Sequence, residues 1–201
     1  MNGRGNLREA LPCCDTVVQD AILQGEYTRA LEVLIHRYQG AILRYCSCHL
    51  LDQDAAQEMA QEVFIATFEG LPALGGHASI KAWLYGIATK KCLEMRRNYA
   101  RRATLRRDYQ APIGAYAHCE PPSSPEDLCS RERQRRLVWE ALRRLRVYDR
   151  ELVVLRYLEE LLYEEIASIL KVSQKTVERH LPHALAKFLH AYERCQRHAI
   201  S

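Results

Sequence analysis

The sequence predicts an all-α protein made of two small helical domains joined by a flexible linker. Three observations carry that prediction. Apolar residues recur at three- and four-residue spacing from Thr16 to Tyr99 and again from Arg131 to about Tyr192, with no strand-like alternation. Between Ala103 and Ser130 the periodicity fails, and APIGAYAHCEPPSSPEDLCS holds four prolines, two of them in tandem, a composition suited to a linker. Finally, 201 residues give room for one ordinary domain or two small ones.

The elements follow in chain order. Gly25 separates a short first helix from a second that carries Ala30, Leu31, Leu34, Ile35 and Tyr38. A third helix begins after Asp52 or Asp54 and ends in the Gly and Pro content of GLPALGGHAS. Its period turns Met59, Val63, Phe64, Ala66 and Phe68 inward and Glu58, Gln61, Glu62, Ile65 and Glu69 outward. An acidic face with an apolar residue at its middle suits docking on a basic protein surface. The plainer account of such a face is solvation. A fourth helix runs from about Ile80 into RRNYARR.

In the C-terminal half, Ile166, Ala167, Ile169 and Leu170 make one apolar stripe, and Lys171 to Ser173 form a short turn. Ser173 is placed to cap the next helix. Val177, Leu181, Leu185 and Phe188 then recur at helical spacing, which turns Lys175, Arg179 and His183 to the opposite face. This is the pattern of a helix-turn-helix, whose second helix offers exposed side chains to base edges in the major groove.

Charge is segregated along the chain. The formal net charge is +4, yet Tyr45 to Ile80 holds five acidic residues and no Lys or Arg, while Lys81 to Arg107 holds nine basic residues against the single Glu94. Such a pattern suits two partners of opposite sign, with nucleic acid answering the basic one. No apolar run reaches the length of a membrane span, and MNGRGNLREALPCC lacks the apolar core of a signal peptide. The expectation is a cytoplasmic protein without membrane insertion. The eight cysteines are then expected as thiols. Cys46 and Cys48, two apart on a helix, point to nearly opposite sides and do not converge on a metal. No catalytic motif appears, so neither an enzyme nor a cofactor is expected.

LRRLRVYDRELVVLRYLEELLYEEIASILKVSQKTVERHL resembles region 4 of bacterial sigma factors, whose pattern runs through a "YEEIA" helix to "VS..TV". TVERHL is also similar to the recognition helix of LuxR-type regulators, and this half alone does not choose between them. AQEMAQEVFIATFEGL followed by SIKAWLYGIA resembles region 2 of sigma factors, in particular the extracytoplasmic-function group, which joins regions 2 and 4 by a flexible linker. The resemblance implies region 2 over residues 16–102, a linker over 103–130 and region 4 over 131–191.

What it implies for function is transcription initiation with core RNA polymerase. Glu58, Gln61, Glu62 and Ile65 match the positions that meet the clamp helices of the largest subunit. Leu74, Gly75, Gly76, His77, Ala78 and Ser79, with Lys81, Tyr85, Lys90 and Lys91, match those that open and bind the non-template strand of the −10 element. Lys175, Thr176, Glu178, Arg179 and His183 match those that read double-stranded −35 DNA. Trp83 is expected to pack, and Arg96, Arg97, Arg101 and Arg102 to attract phosphates. An anti-sigma factor is a further partner that the family implies.

Several positions depart from the family pattern. Lys90 stands where Asn is usual, Leu162 where a helix cap is expected, and Lys171 where Gly is frequent in the turn. Glu178, Arg179 and His180 replace a basic pair flanking a small residue. Pro182 falls in a helix interior, at a cost of up to about 3 kcal/mol if unrelieved, and predicts a kinked reading helix. Two other readings stand beside this one: a stand-alone LuxR-type regulator, and a thiol-based metal or redox sensor.

Overall fold

A computed structural model of the chain describes residues 14–50, 53–74, 79–105 and 125–198. They form eight α-helices: α1 (Cys14–Leu23), α2 (Tyr27–His49), α3 (Gln53–Gly70), α4 (Ile80–Leu105), α5 (Pro125–Arg144), α6 (Val147–Val153), α7 (Tyr163–Leu170) and α8 (Gln174–His198). No strand occurs among the described residues. Both ends of the expected linker are helical, because α4 continues to Leu105 and α5 starts at Pro125. Residues 106–124 lie outside the described residues.

Local chemistry sets the helix ends. Gly25 sits at φ +74, where a side chain would be strained, and lets Gly25 N–H reach the Ile22 carbonyl (3.0 Å) and Glu26 N–H the Ala21 carbonyl (2.8 Å). The chain thus reverses between α1 and α2 without orphaning the last carbonyls of α1. Ser79 Oγ accepts the Ala82 N–H at 3.2 Å and starts α4. At the other end of α3, the Trp83 ring lies against Gly70 so closely that a Cβ there would meet it at 2.8 Å.

The N-terminal half is α1 to α4. A small cluster of Val18, Ala21, Ala30, Leu34, Leu71 and Ile80 closes one end, with Trp83 packed on it as expected. The main core begins with Ile42, Tyr45, Ala56, Met59, Val63, Leu84 and Ala88. It does not stop at the domain boundary: Leu142, Leu152, Leu155, Leu161, Ile166, Val177 and Leu181 of the C-terminal half belong to the same contiguous cluster, and α4 packs against α7.

In the C-terminal half, α5 and α6 pack on α8, and Lys187 pairs with Asp149 at 2.8 Å to fix α8 against α6. Arg150 performs an unusual capping task. Its guanidinium donates to the carbonyls of Leu142 (2.8 Å), Arg143 (3.0 Å) and Leu145 (3.1 Å) at the end of α5, and to Cys48 (2.9 Å) at the end of α2. A cation is favoured there, since both helix C-termini concentrate unpaired carbonyls and negative partial charge. Past α6 the helix loosens into a π turn over Val154–Leu158, after which Glu160 takes φ +54. Arg156 steadies this loop by donating to the Leu161 carbonyl (2.9 Å) and lying over the Tyr163 ring.

Candidate nucleic-acid and protein interfaces

On α3 the buried side is Ala56, Met59, Ala60, Val63 and Thr67. The Thr67 hydroxyl bonds back to the Val63 carbonyl at 2.7 Å, which lets a polar residue sit fully inside. This rotates the inward stripe slightly from the expected one. Phe68, expected inward, is 43% exposed and joins Ile65, 54% exposed, on the outer face. Glu58 and Gln61 are exposed there as well, whereas Glu62 is half-buried and ion-paired with Lys91 at 3.2 Å. Between α2 and α3 lies a groove of about 710 Å³, with Leu31, Ile35, Leu43, Phe64, Ile65 and Phe68 in its apolar lining and Gln39, Gln57, Gln61 and Glu69 as polar members, while Glu58 and Glu62 lie outside it. An apolar groove with an amide and carboxylate rim is a surface on which another protein's helix can be seated.

The residues expected to meet the −10 element divide differently. Gly75, Gly76, His77 and Ala78 lie outside the described residues, between half-buried Leu74 and half-buried Ser79. Lys90 is exposed, and Lys91 is held by Glu62. Tyr85 is a correction: it is fully buried, edge-on to the Tyr45 ring at 5.3 Å, and donates its hydroxyl to the Glu159 carboxylate. Lys81 donates its ammonium to the Glu159 main-chain carbonyl. Both side chains are engaged by the C-terminal half, Tyr85 fully buried and Lys81 half-buried. Arg96, expected as a phosphate contact, is likewise half-buried with one guanidinium nitrogen unmatched, while Arg97 is exposed. The side chains of Arg101 and Arg102 lie outside the described ones.

The helix-turn-helix is formed by α7, the turn Lys171–Ser173 and α8. Ser173 Oγ accepts the Thr176 N–H at 3.2 Å, the expected cap. Ile166, Val177, Leu181 and Ala184 are buried between the helices, and Lys175, Glu178, Arg179 and His183 are exposed. Thr176 is a partial correction, because its hydroxyl lies 2.8 Å from Ser173 Oγ and it is half-buried. Glu178 accepts from the Gln174 amide at 2.8 Å. At Pro182, where a kink is expected, α8 is continuous from Gln174 to His198 and the proline is exposed.

Where the halves meet lies a set of buried ionisable groups. Burial, then Arg150 and Arg96, holds the His49 imidazole down at about 3, so it is neutral at physiological pH. Burial pushes Glu151 up to about 7, against the pull of Arg96 and Arg150. At 4.0 Å from a neutral imidazole, Glu151 forms no salt bridge with His49. Glu159 is raised by burial, although the bond from Tyr85 and the charges of Arg44 and Lys81 favour its ionised form. Sequence reasoning missed Arg150, Glu151 and Glu159 entirely. Charged residues recur throughout Val147 to Leu162, among them Asp149, Arg156 and Glu160, so nothing in the sequence marked these three for burial.

The thiols Cys46, Cys48, Cys92 and Cys195 are free and buried, and burial pushes Cys48 well above its ordinary value. Among the described residues no group of three His, Cys, Asp or Glu is placed to hold a metal ion, and no helix is long and apolar enough to cross a membrane.

Comparison with known proteins agrees with this geometry. The family model described as sigma-70 region 2 matches residues 34–102, and that of sigma-70 region 4 matches residues 135–188. Together the two span well over half of the chain. The chain is 29% identical over 155 residues to the RNA polymerase sigma factor YlaC of Bacillus subtilis, covering 77% of this chain and 87% of that protein. To the ECF RNA polymerase sigma-E factor of Escherichia coli it is 28% identical over 171 residues, covering 81% and 86%. Its fold is similar to that of CnrH, solved with the cytosolic domain of CnrY (21% identity, TM-score 0.64, 90% of this chain and 99% of that one). It is also similar to that of the sigma factor RpoE of Bartonella quintana, solved with the anti-sigma factor NepR (15%, TM-score 0.65, 79% and 94%). A region 2 match preceding region 4 leaves no place for a stand-alone LuxR-type regulator. The chain belongs to the sigma-70 family of RNA polymerase sigma factors, in its extracytoplasmic-function group, and serves transcription initiation.

Proposed function

We propose that α3 docks on the clamp helices of the polymerase largest subunit through Glu58, Gln61 and Ile65, with Glu62 at the edge of the contact. The observation that carries this assignment is the apolar groove beside Ile65, rimmed by Gln61 and Glu69, on the face of α3 that the core leaves free. The segment from Leu74 to Ser79 with Lys81, Lys90 and Lys91 then engages the −10 element. The cations follow the phosphates, and unstacking a base costs a few kcal/mol that the contacts must offset. On the other half, Lys175, Arg179 and His183 face the −35 duplex. Residues 16–102 act as region 2, 131–191 as region 4, and the stretch within 103–130 as their tether. The protein acts in the cytoplasm as a specificity subunit with no catalysis of its own. An anti-sigma factor is its natural inhibitor, a reading supported by the RpoE relative having been solved with NepR.

Run-off transcription with core polymerase on a library of promoter fragments tests the reading as a whole. Ile65→Asp, which places a charge at the middle of the groove rim, should weaken core binding at least roughly tenfold, as loss of an interface anchor does. Duplex DNA binding through α8 should be unchanged. Equal core affinity in wild type and variant would remove α3 as the docking helix. Ile65 is a cleaner probe than Glu62, whose reversal also breaks the pair with Lys91.

A further inference from the structure

We infer that Gln174 reads one adenine of the −35 duplex and that Glu178 positions its amide for that contact. The inference deepens the function proposed above and rests on its reading that α8 faces −35 DNA. Its own support lies at the start of α8, the end from which a recognition helix offers side chains to base edges. Ser173 caps the helix, which makes Gln174 its first residue. In this first turn Val177 is buried, and the hydroxyls of Ser173 and Thr176 lie 2.8 Å apart and bond each other. Gln174 and Lys175 are left exposed. A lysine ammonium only donates, so Gln174 is the side chain of that turn able to offer a donor and an acceptor together.

Glu178 lies one turn further along and accepts from the Gln174 amide at 2.8 Å. An ionised carboxylate only accepts, so the amide nitrogen must face it and the two ends of the amide are not interchangeable. One N–H is thereby held. The second N–H and the carbonyl oxygen remain for a base. In the major groove adenine presents an acceptor, N7, beside a donor, its N6 amino group, and a side-chain amide bonds both at once. Guanine presents two acceptors and cytosine a donor alone, so each leaves half of the amide unmatched, while thymine sets a methyl group beside its acceptor. The Gln174–Glu178 pair adds little to the stability of an exposed helix. Its loss is therefore read in sequence preference rather than in folding.

The test is holoenzyme, assembled from core polymerase and the intact chain, bound to promoter duplexes that share one −10 element and are randomised across the −35 region. Sequencing of the bound fraction reads the preference at each position. The wild type should favour adenine at one position by roughly tenfold, the scale of a good bidentate contact. Gln174→Ala should abolish that preference and keep the others, including the one that Arg179→Ala removes. Replacing that adenine by 7-deazaadenine, which lacks the N7 acceptor, should weaken wild-type binding several-fold and leave Gln174→Ala unaffected. Glu178→Ala should reduce the adenine preference alone, whereas Glu178→Gln, which keeps an acceptor for the Gln174 amide, should retain it. Circular dichroism should show the same helix content in all these variants. An adenine preference that survives Gln174→Ala, or a loss spread evenly over all positions, would overturn the assignment. Loss of a cytosine preference in Glu178→Ala would make Glu178 a reader in its own right and overturn its positioning role. Those outcomes leave the proposed placement of α8 on −35 DNA standing, whereas a wild-type holoenzyme with no preference anywhere in the −35 region would overturn both.

Discussion

Lys171 ends α7 in the same way that Gly25 ends α1. Its backbone is left-handed at φ +55, Lys171 N–H reaches the Ser168 carbonyl (3.3 Å), and Val172 N–H reaches the Ala167 carbonyl (3.0 Å). A Cβ in that conformation meets the neighbouring carbonyl, whereas glycine has none. Lys171→Gly should therefore raise stability by about 0.5–1 kcal/mol, the relief of strain less the entropy of a freer unfolded chain. A higher urea midpoint with an unchanged slope would show it. Leu162 is the companion case. Glu165 reaches back to the Leu162 N–H at 2.7 Å, but leucine offers no oxygen in return, so only half of a capping box is made. Leu162→Ser should complete it and add about 1 kcal/mol in the same titration. Both positions stood out in the sequence as departures from the family pattern. The geometry supplies the physical reason that the family residue fits better.

At the scale of the element, α3 and α8 were largely legible because their buried faces follow a 3.6-residue period. Phe68 of α3 and Tyr85 of α4 departed from expectation for separate causes. Phe68 points outward because Thr67, whose hydroxyl is satisfied by its own helix, takes the inward position, which no hydrophobicity pattern anticipates. Tyr85 was read as surface because its partner, Glu159, lies 74 residues further along the chain. For α8 the exposed side chains permit a sharp distinction. Arg179 projects from the second turn and suits bidentate contact with guanine, while Lys175 near the start suits a phosphate. Arg179→Ala should relax preference at about one −35 base pair at a cost on the order of 1–3 kcal/mol. Lys175→Ala should weaken all sequences alike and flatten the salt dependence. Titrations on a panel of −35 duplexes at two ionic strengths separate the two, and uniform losses for both would assign α8 to backbone anchoring alone.

For the whole molecule, the two-part plan was visible in the break of periodicity at the proline-rich stretch. The shared core was not. Its polar links join residues up to 102 apart, and Arg150, Glu151 and Glu159 carry side chains that ordinarily belong at a surface. The buried carboxyl of Glu151 makes a measurable prediction. Its folded value of about 7 lies above the ordinary 4.5, so the native state holds a proton that the unfolded chain gives up. Whatever stability that protonated carboxyl allows is present below pH 4.5 and is lost as the pH rises through 7. Glu151→Gln cannot ionise. Relative to wild type it should be near neutral at pH 4.5 and more stable by about 1–3 kcal/mol at pH 8, read from thermal melts across that range. His49 runs the opposite way, since its depressed value means stability lost as pH falls from 6.5 toward 3. The wild-type profile between these limits should accordingly be shallow.

The open face of α8 has a further meaning for occupancy of the genome. Lys175 and Arg179 are few charges, and so small a set on its own belongs to the range of weak, salt-sensitive attachment, with dissociation constants of about 10⁻⁴–10⁻⁶ M. A free chain would thus visit −35 sequences and leave them, without blocking promoters. Joined to a polymerase that holds the other half on the same stretch of DNA, the second contact becomes intramolecular, at an effective concentration of about millimolar for a short tether. Residence on a promoter then depends on avidity, and a modest recognition helix is enough.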